Sequence, residues 1–305
     1  MGRPYIKEVM IYHRLPLCIT LEVTSKCNLN CAMCGYPHMT RAKAHMDFSL
    51  FQTIVQQCKY DGHNLMWLHH IGEPTLWPYL CEGIEYMRYT LGRTPCISTN
   101  GMLLDSDMLK NLKAAGAGHV MICFSSMRED VYNILRRGGN YHRVIQNIHT
   151  AKDMNCFDIT VQLMDTVLNH DETPEMYYAE FGEETPNFRV SKWPVNKFKP
   201  DGEYFGFNEP YSPSCHILSS HFVICQDGRV PVCCFDYDCT VCAGNVSFDS
   251  ITSIAEHGFD SIVDKIKARD FSNMPACSNC FDMTWRDKLP RERFVDRWTS
   301  CIPTT

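Results

Sequence analysis

Residues Thr20–Cys34, TLEVTSKCNLNCAMC, decide how the rest of the chain is read. The mostly apolar run from Leu17 to Val23 has strand composition and leads directly into Cys27, Cys31 and Cys34 at CxxxCxxC spacing. Three thiolates on one short loop can wrap a single inorganic centre. A cubane [4Fe–4S] cluster has four irons, so three protein ligands leave one iron open to an outside ligand. Zinc prefers four ligands, commonly from CxxC knuckles, and suits this spacing poorly.

The chain has 305 residues, enough for one large domain and a smaller one or for an enlarged α/β unit. With 45% hydrophobic and 21% charged residues it has the composition of a globular protein, and a net charge of −6 gives no basic excess to favour nucleic acid. The 18 cysteines are the unusual feature. Met1-Gly-Arg-Pro-Tyr-Ile-Lys-Glu is too charged for a secretory signal, and no apolar run approaches the ~18 to 20 residues of a membrane span. A cytoplasmic location is expected, where thiols stay reduced and a cysteine excess points to metal or redox chemistry.

Beyond the cysteine loop, apolar clusters alternate with amphipathic stretches. The patterns predict helix over Asp47–Cys58, strand over Asn64–His70, helix over Leu80–Leu91, strand over Pro95–Thr99 and helix over Asp105–Ala115. A fourth strand is expected at His119–Ser125, helix over Asp130–Met154, and further strands at Phe157–Thr166 and Asn187–Ser191. Repeated strand-then-helix order implies parallel strands with right-handed crossovers. Six such units fall short of eight, so the expected fold is α/β, an open, partial (β/α)6 TIM-like barrel with its site at the C-terminal strand ends.

The cysteine loop resembles that of the radical S-adenosylmethionine (radical SAM) enzymes. The resemblance implies that the open iron chelates the amino and carboxylate groups of SAM. One electron from the cluster then cleaves the sulfonium to a 5′-deoxyadenosyl radical, the electron coming from a reductant such as flavodoxin or ferredoxin. Three strand ends carry signals similar to the family's. His70-Ile-Gly-Glu-Pro74 resembles the glycine-glutamate motif whose backbone binds the methionine amino group, which carries over Gly72, Glu73 and Pro74; Ile71 stands where the family often has glycine. Ser98-Thr99-Asn100-Gly101 is similar to the segment approaching the ribose and carboxylate of SAM, and Ser125 occupies a polar SAM-contacting strand end. Met33 stands where an aromatic residue commonly packs on adenine, and methionine supplies a soft, polarizable contact there. Taken singly, Gly-Glu-Pro and Asn-Gly are ordinary turn formers. Arg189, on the sixth predicted strand, is a candidate to face substrate, against the plainer reading of a surface charge.

Near residue 200 the composition changes to a proline-, glycine- and aromatic-rich stretch, which places a boundary between domains of 1–200 and 201–305. Nine of the cysteines lie beyond it. Phe222–Cys234 reads as a β-hairpin about the Asp227-Gly228 turn. Cys215, Gly228 followed by Cys233, and Cys277-Ser-Asn-Cys280 resemble the auxiliary-cluster domain called twitch, the shortened form of the SPASM domain. That resemblance implies a second [4Fe–4S] cluster on Cys215, Cys233, Cys277 and Cys280. Arg286 stands where a full SPASM domain has a further cysteine. A rival is a zinc knuckle pair, Cys239-Thr-Val-Cys242 with Cys277–Cys280, separated by 34 residues where ~15 to 20 is usual.

Short-domain members of this kind resemble the dehydrogenases and epimerases of aminoglycoside antibiotic pathways, which implies a hydroxylated small-molecule substrate. Oxidation follows if the substrate radical gives up an electron. Epimerisation follows if a thiol returns a hydrogen, with Cys225, Cys234, Cys239 and Cys242 as candidate donors. A small buried apolar role is the plainer reading of each. Peptide modification and a non-enzymatic iron–sulfur carrier are the other functions weighed, the carrier having no use for an open iron.

Overall fold

A computed structural model describes residues 17–194, 222–268 and 270–278. Its first strand, β1 (Cys18–Leu21), buries Ile19 and Leu21 completely and delivers the chain to the cysteine loop. Alternation then runs as the sequence pattern predicts: α1 (Phe48–Asp61), β2 (Asn64–Trp67), α2 (Leu80–Leu91), β3 (Cys96–Thr99), α3 (Ser106–Ala115) and β4 (His119–Ser125). After them come α4 (Glu129–Leu135), α5 (Tyr141–Met154), β5 (Asp158–Asp165), α6 (Pro174–Phe181) and β6 (Phe188–Pro194). Local chemistry sets the helix starts: Asp47, Asp105 and Asn140 each accept a backbone N–H of the first turn, from Ser49, Met108 and Arg143. The single stretch expected over Asp130–Met154 is two helices, because Gly138-Gly139 interrupts it. The short α6 was not expected, since its apolar positions form no clear stripe.

All the strands of the main sheet run parallel, in the order β6-β5-β4-β3-β2-β1-β7, with β7 spanning Phe222–Ile224. Sequential order with β6 and β7 as separate edges makes an open sheet, as a partial barrel requires. The seventh strand corrects the expected hairpin. Phe222, Val223 and Ile224 are all buried and pair in parallel with Ile19, Thr20 and Leu21 of β1. A strand covered on both faces reads as a continuous apolar run, and that pattern decides its place in the main sheet. The strand after the Asp227-Gly228 turn, β8 (Arg229–Pro231), pairs antiparallel with β9 (Cys242–Asn245) instead. The expected boundary near residue 200 lies outside the described residues.

The core lies between sheet and helices, with Phe51, Ile54, Ile84, Leu112, Phe124, Tyr132, Ile148 and Tyr177 among its fully buried side chains. Among the described residues no helix is long and apolar enough to cross a membrane.

Candidate functional site

The loop after β1 is shaped by contacts to the elements around it. Asn30 and Ala32 donate backbone hydrogen bonds to the carbonyls of Arg137 and Leu135 (2.8 and 2.9 Å), tying the loop to the end of α4. Tyr36 Oη donates to the Cys27 carbonyl at 3.0 Å and closes the turn. Each sulfur meets an N–H donor: Asn100 Nδ2 is 4.0 Å from Cys27, Arg136 Nη1 3.7 Å from Cys31 and the Tyr36 amide 3.4 Å from Cys34. Burial pushes the Cys27 thiol up to about 12 and the Cys34 thiol up to about 11, with neighbouring cysteines adding to it. Unpaired sulfurs on one loop that act on one another electrostatically, each with a donor behind it, fit the ligation of an iron–sulfur cluster. Met33 packs beside Ala32, Val131, Leu135, Met164 and Leu168.

The next two strand ends are locked together by one carboxylate. Glu73 is 2% exposed and accepts from Thr75 N (3.1 Å), Thr75 Oγ1 (2.6 Å), Thr99 Oγ1 (2.6 Å) and Asn100 N (2.7 Å). Its side chain is therefore structural, and what it leaves for a ligand is backbone. Burial raises its carboxyl above the usual range, against these donors. Gly72 is required by close approach: a Cβ there would stand 2.0 Å from the Thr24 carbonyl oxygen. The Glu73 amide donates to Lys26 O at 2.8 Å, so this loop is stitched to the cysteine loop. Pro74 opens the short 3-10 turn that follows. Asn100 Nδ2 also donates to Asn28 Oδ1 at 2.7 Å, and Ser98 Oγ lies 3.3 Å from Cys123 Sγ.

At the end of β4, Ser125 is fully buried with φ +82, a conformation that costs a non-glycine residue energy. Asn169 Nδ2 donates to its carbonyl at 3.0 Å, and Arg136 Nε donates to its hydroxyl at 2.7 Å. Arg136 thus bridges a cluster cysteine and a predicted SAM-contacting serine. Burial works against its charge, and the sulfurs of Cys31 and Cys123 outweigh burial. No motif singled this arginine out; only the fold brings α4 against the cysteine loop.

In the C-terminal region, the Phe235 amide donates to Cys233 Sγ at 3.4 Å, the same residue-plus-two pattern as Tyr36 on Cys34. Cys233 and Cys277 both pack against the main core, Cys277 from the short helix Pro275–Ser278. Both are half-buried; Cys215 and Cys280 lie outside the described residues. The structure does not bring Arg189 to the site. Paired with Thr160 at the start of its strand, it stands at the opposite, N-terminal end and donates to Thr160 Oγ1 at 3.1 Å.

Two of the candidate donor cysteines, Cys225 and Cys234, lie at a second group that sequence reasoning missed, Glu22, Arg41 and His70. Glu22 is fully buried at the end of the β1 run, with Arg41 Nη2 2.6 Å and His70 Nδ1 3.4 Å from its Oε1. Burial raises the Glu22 carboxyl, but His70 and Arg41 overcome it and hold it below the usual range. Despite burial, Cys225 and Glu22 push His70 up to about 10. Cys225 is fully buried beside Cys239, Cys234 offers its carbonyl to His70 Nε2 at 2.8 Å, and Cys242 is exposed. A glutamate inside an apolar strand run was the available signal. Arg41 also donates to the Tyr237 carbonyl (2.6 Å) and to Gln226, while Asp238 Oδ1 accepts from the amides of Thr40 (2.7 Å) and Arg41 (3.1 Å). The C-terminal cysteine segment is thereby clamped on the N-terminal one.

Comparison with known proteins agrees with this geometry. The family model described as Radical SAM superfamily matches residues 21–178, and that of an iron-sulfur cluster-binding domain, SPASM, matches residues 215–281. A tungsten-containing aldehyde ferredoxin oxidoreductase cofactor-modifying protein of Pyrococcus furiosus is 37% identical over 100 residues, covering 32% of this chain and 27% of that protein. A GTP 3′,8-cyclase of Clostridium botulinum is 28% identical over 138 residues, covering 44% of this chain and 42% of the cyclase. The chain thus spans well under half the length of these curated relatives. Among solved structures, BtrN in complex with AdoMet and 2-DOIA superposes with TM-score 0.60 at 20% identity, covering 88% of this chain and 94% of BtrN. SuiB of Streptococcus suis bound to the precursor peptide SuiA gives TM-score 0.61 at 13% identity, covering 79% and 64%. At these identities the two structures establish the fold.

Proposed function

The chain belongs to the radical SAM superfamily, and on that premise we propose that it oxidises a hydroxylated small molecule of the amino-sugar or aminocyclitol class. The family and its SPASM domain bring SAM and two [4Fe–4S] clusters as cofactors. Bound together, these groups supply a carbon radical that removes hydrogen from a C–H bond, and an acceptor for the electron left behind.

The chain's own residues would do the holding and positioning. Cys27, Cys31 and Cys34 would hold the cluster that meets SAM. Arg136 and Ser125 put positive charge and a hydroxyl beside Cys31, where a carboxylate can be received. Glu73 fixes the ends of β2 and β3 so that the backbone of Gly72 and Glu73 can face an amino group, and Met33 offers its thioether to an adenine face. Cys233 and Cys277, with Cys215 and Cys280, would hold the auxiliary cluster.

The observation that supports the substrate class is the likeness to BtrN, whose structure holds 2-DOIA and 94% of whose chain is covered. The loop sulfurs and the arginine-serine pair support the SAM chemistry independently of it. Peptide modification is favoured by one observation, the likeness to peptide-bound SuiB, over a smaller share of that protein.

Incubation of the reduced, reconstituted enzyme with SAM and a panel of hydroxylated amino-sugars tests the reading by product mass. Loss of two mass units is expected for conversion of CH–OH to C=O. Unchanged mass in H₂O with a gain of one in D₂O would instead mark epimerisation by a thiol donor such as Cys225, Cys234, Cys239 or Cys242. Reaction with a peptide and no amino-sugar would overturn the substrate class.

A further inference from the structure

Where β1, β2 and β7 end, three side chains converge that the radical chemistry does not use. Glu22, His70 and Cys225 bring a carboxylate oxygen, an imidazole nitrogen and a sulfur within 4.8 Å of one another. Glu22 and Cys225 are fully buried, and the His70 side chain is 4% exposed. His70 Nε2 lies 2.8 Å from the Cys234 carbonyl, which can only accept, so Nε2 carries a hydrogen and Nδ1 points inward. Nδ1 has no hydrogen-bond partner. Arg41 answers the Glu22 carboxylate at 2.6 Å, which leaves the imidazole nitrogen and the sulfur to a second positive centre.

The sulfurs decide what that centre is. Cys225 touches Cys239, and Cys239 touches Cys242 in turn. A proton on His70 would satisfy Cys225 and Glu22 but leave this run of thiols without a use. Cys239 holds a left-handed backbone, φ +52. The turn is braced by Asp236, whose carboxylate accepts from Thr240 N (2.9 Å) and Val241 N (2.8 Å). Cys239-Thr-Val-Cys242 is thus a braced CxxC loop whose Cys239 is presented to the buried Cys225, itself beside His70.

We propose that Cys225, Cys239 and His70 Nδ1 bind one thiophilic divalent cation, zinc by the chemistry of the donors, with Cys242 completing a Cys3His set. Charge balance supports it. Glu22 is neutralised by Arg41 at 2.6 Å, so a divalent ion with the two buried thiolates and a neutral imidazole leaves the interior uncharged. The third thiolate, at the exposed Cys242, lies near Arg229. Such an ion would pin the loop after β2, which carries Gly72 and Glu73, to the C-terminal segment. The partners differ from those of the expected knuckle: Cys239 lies against Cys225 and Cys242, while Cys277 packs against the main core. None of these ligands is among the four cysteines assigned to the auxiliary cluster, so the two assignments fail separately.

Metal analysis of the reconstituted holoenzyme, produced in zinc-supplemented medium, tests the site. About one zinc beside about eight irons is expected. Zinc-edge X-ray absorption should fit three sulfurs and one nitrogen. Cys225→Ser and Cys239→Ser should each lose the zinc and keep the iron, and Cys277→Ala should keep the zinc. If the buried Cys225 variant does not fold, the wild-type absorption spectrum decides alone. Absence of zinc from the wild type, its retention in both serine variants, or its loss in Cys277→Ala would overturn the proposal. Iron near four with zinc unaffected would count against the auxiliary cluster and leave this site standing.

Discussion

The two cysteine-rich regions of this molecule organise their sulfurs in opposite ways. The N-terminal loop keeps Cys27, Cys31 and Cys34 within eight residues and draws its supporting groups from neighbouring strand ends, Glu73, Asn100 and Ser125, and from the end of α4, Arg136. The C-terminal region spreads its thiols over nearly ninety residues and two elements of different kind, an antiparallel pair and a short helix. In the first region spacing alone specifies which sulfurs meet. In the second there are more sulfurs than one cluster can use, and only the fold sorts them. Cys233 and Cys277 pack against the main core, while Cys225 lies beside His70 and Cys239 beside Cys225 and Cys242.

The largest expected effect tests the division of labour. Replacing Cys27, Cys31 or Cys34 with alanine should abolish 5′-deoxyadenosine formation and remove about four of about eight irons, with far-UV circular dichroism preserved. Retained SAM cleavage in any of the three would erase the distinction between the regions. Cys277→Ala is the mirror experiment: it should also remove about four irons, keep reductive SAM cleavage and stop turnover of substrate. If turnover persists with those irons gone, the C-terminal centre is not part of the reaction.

Arg136 sharpens the picture of the N-terminal region. Arg136→Ala strips a charged donor from Cys31 and from Ser125, and losing such a bond costs ~1.5–3 kcal/mol. The dissociation constant for SAM, read by equilibrium dialysis, should therefore rise by about ten- to a hundred-fold, with partial rescue in Arg136→Lys. Unchanged SAM affinity would leave the arginine a purely structural role.

The smallest effect concerns the clamp between the regions. Asp238→Ala removes the acceptor for the Thr40 and Arg41 amides, a loss of about 1 kcal/mol that should lower the melting temperature by ~2–4 °C. A shift near zero would mean that Arg41 and its contacts to Glu22, Gln226 and Tyr237 carry the docking unaided.

The alternation of strand and helix is legible from Phe48 to Ser125 because apolar period and turn chemistry agree there, with Asp47 and Asp105 capping two of the helices; the break at Gly138-Gly139 is lost inside one long apolar pattern. β7 was misread because Phe222-Val-Ile is an unbroken apolar triplet beside Asp-Gly. Such a triplet suits a hairpin or a doubly covered parallel strand, and only its partner, β1, decides between them. Glu73 was found by its motif, yet its carboxylate serves the scaffold. His70 opens that motif, but its significance comes from Glu22 and Cys225, 48 residues before it and 155 after. Arg136 was invisible for the same reason. Residues that act through neighbours distant in sequence leave no spacing to read.

The most direct test of the account is reductive cleavage of SAM by the wild-type protein. Anaerobically reconstituted to about eight irons, reduced with dithionite and supplied with SAM, it should form 5′-deoxyadenosine, measured by liquid chromatography and mass spectrometry. The Cys31→Ala protein, treated identically, should form none. A wild-type sample with its full iron and no 5′-deoxyadenosine, or a Cys31→Ala sample that makes as much as the wild type, would contradict the assignment of the N-terminal loop as the radical-forming site.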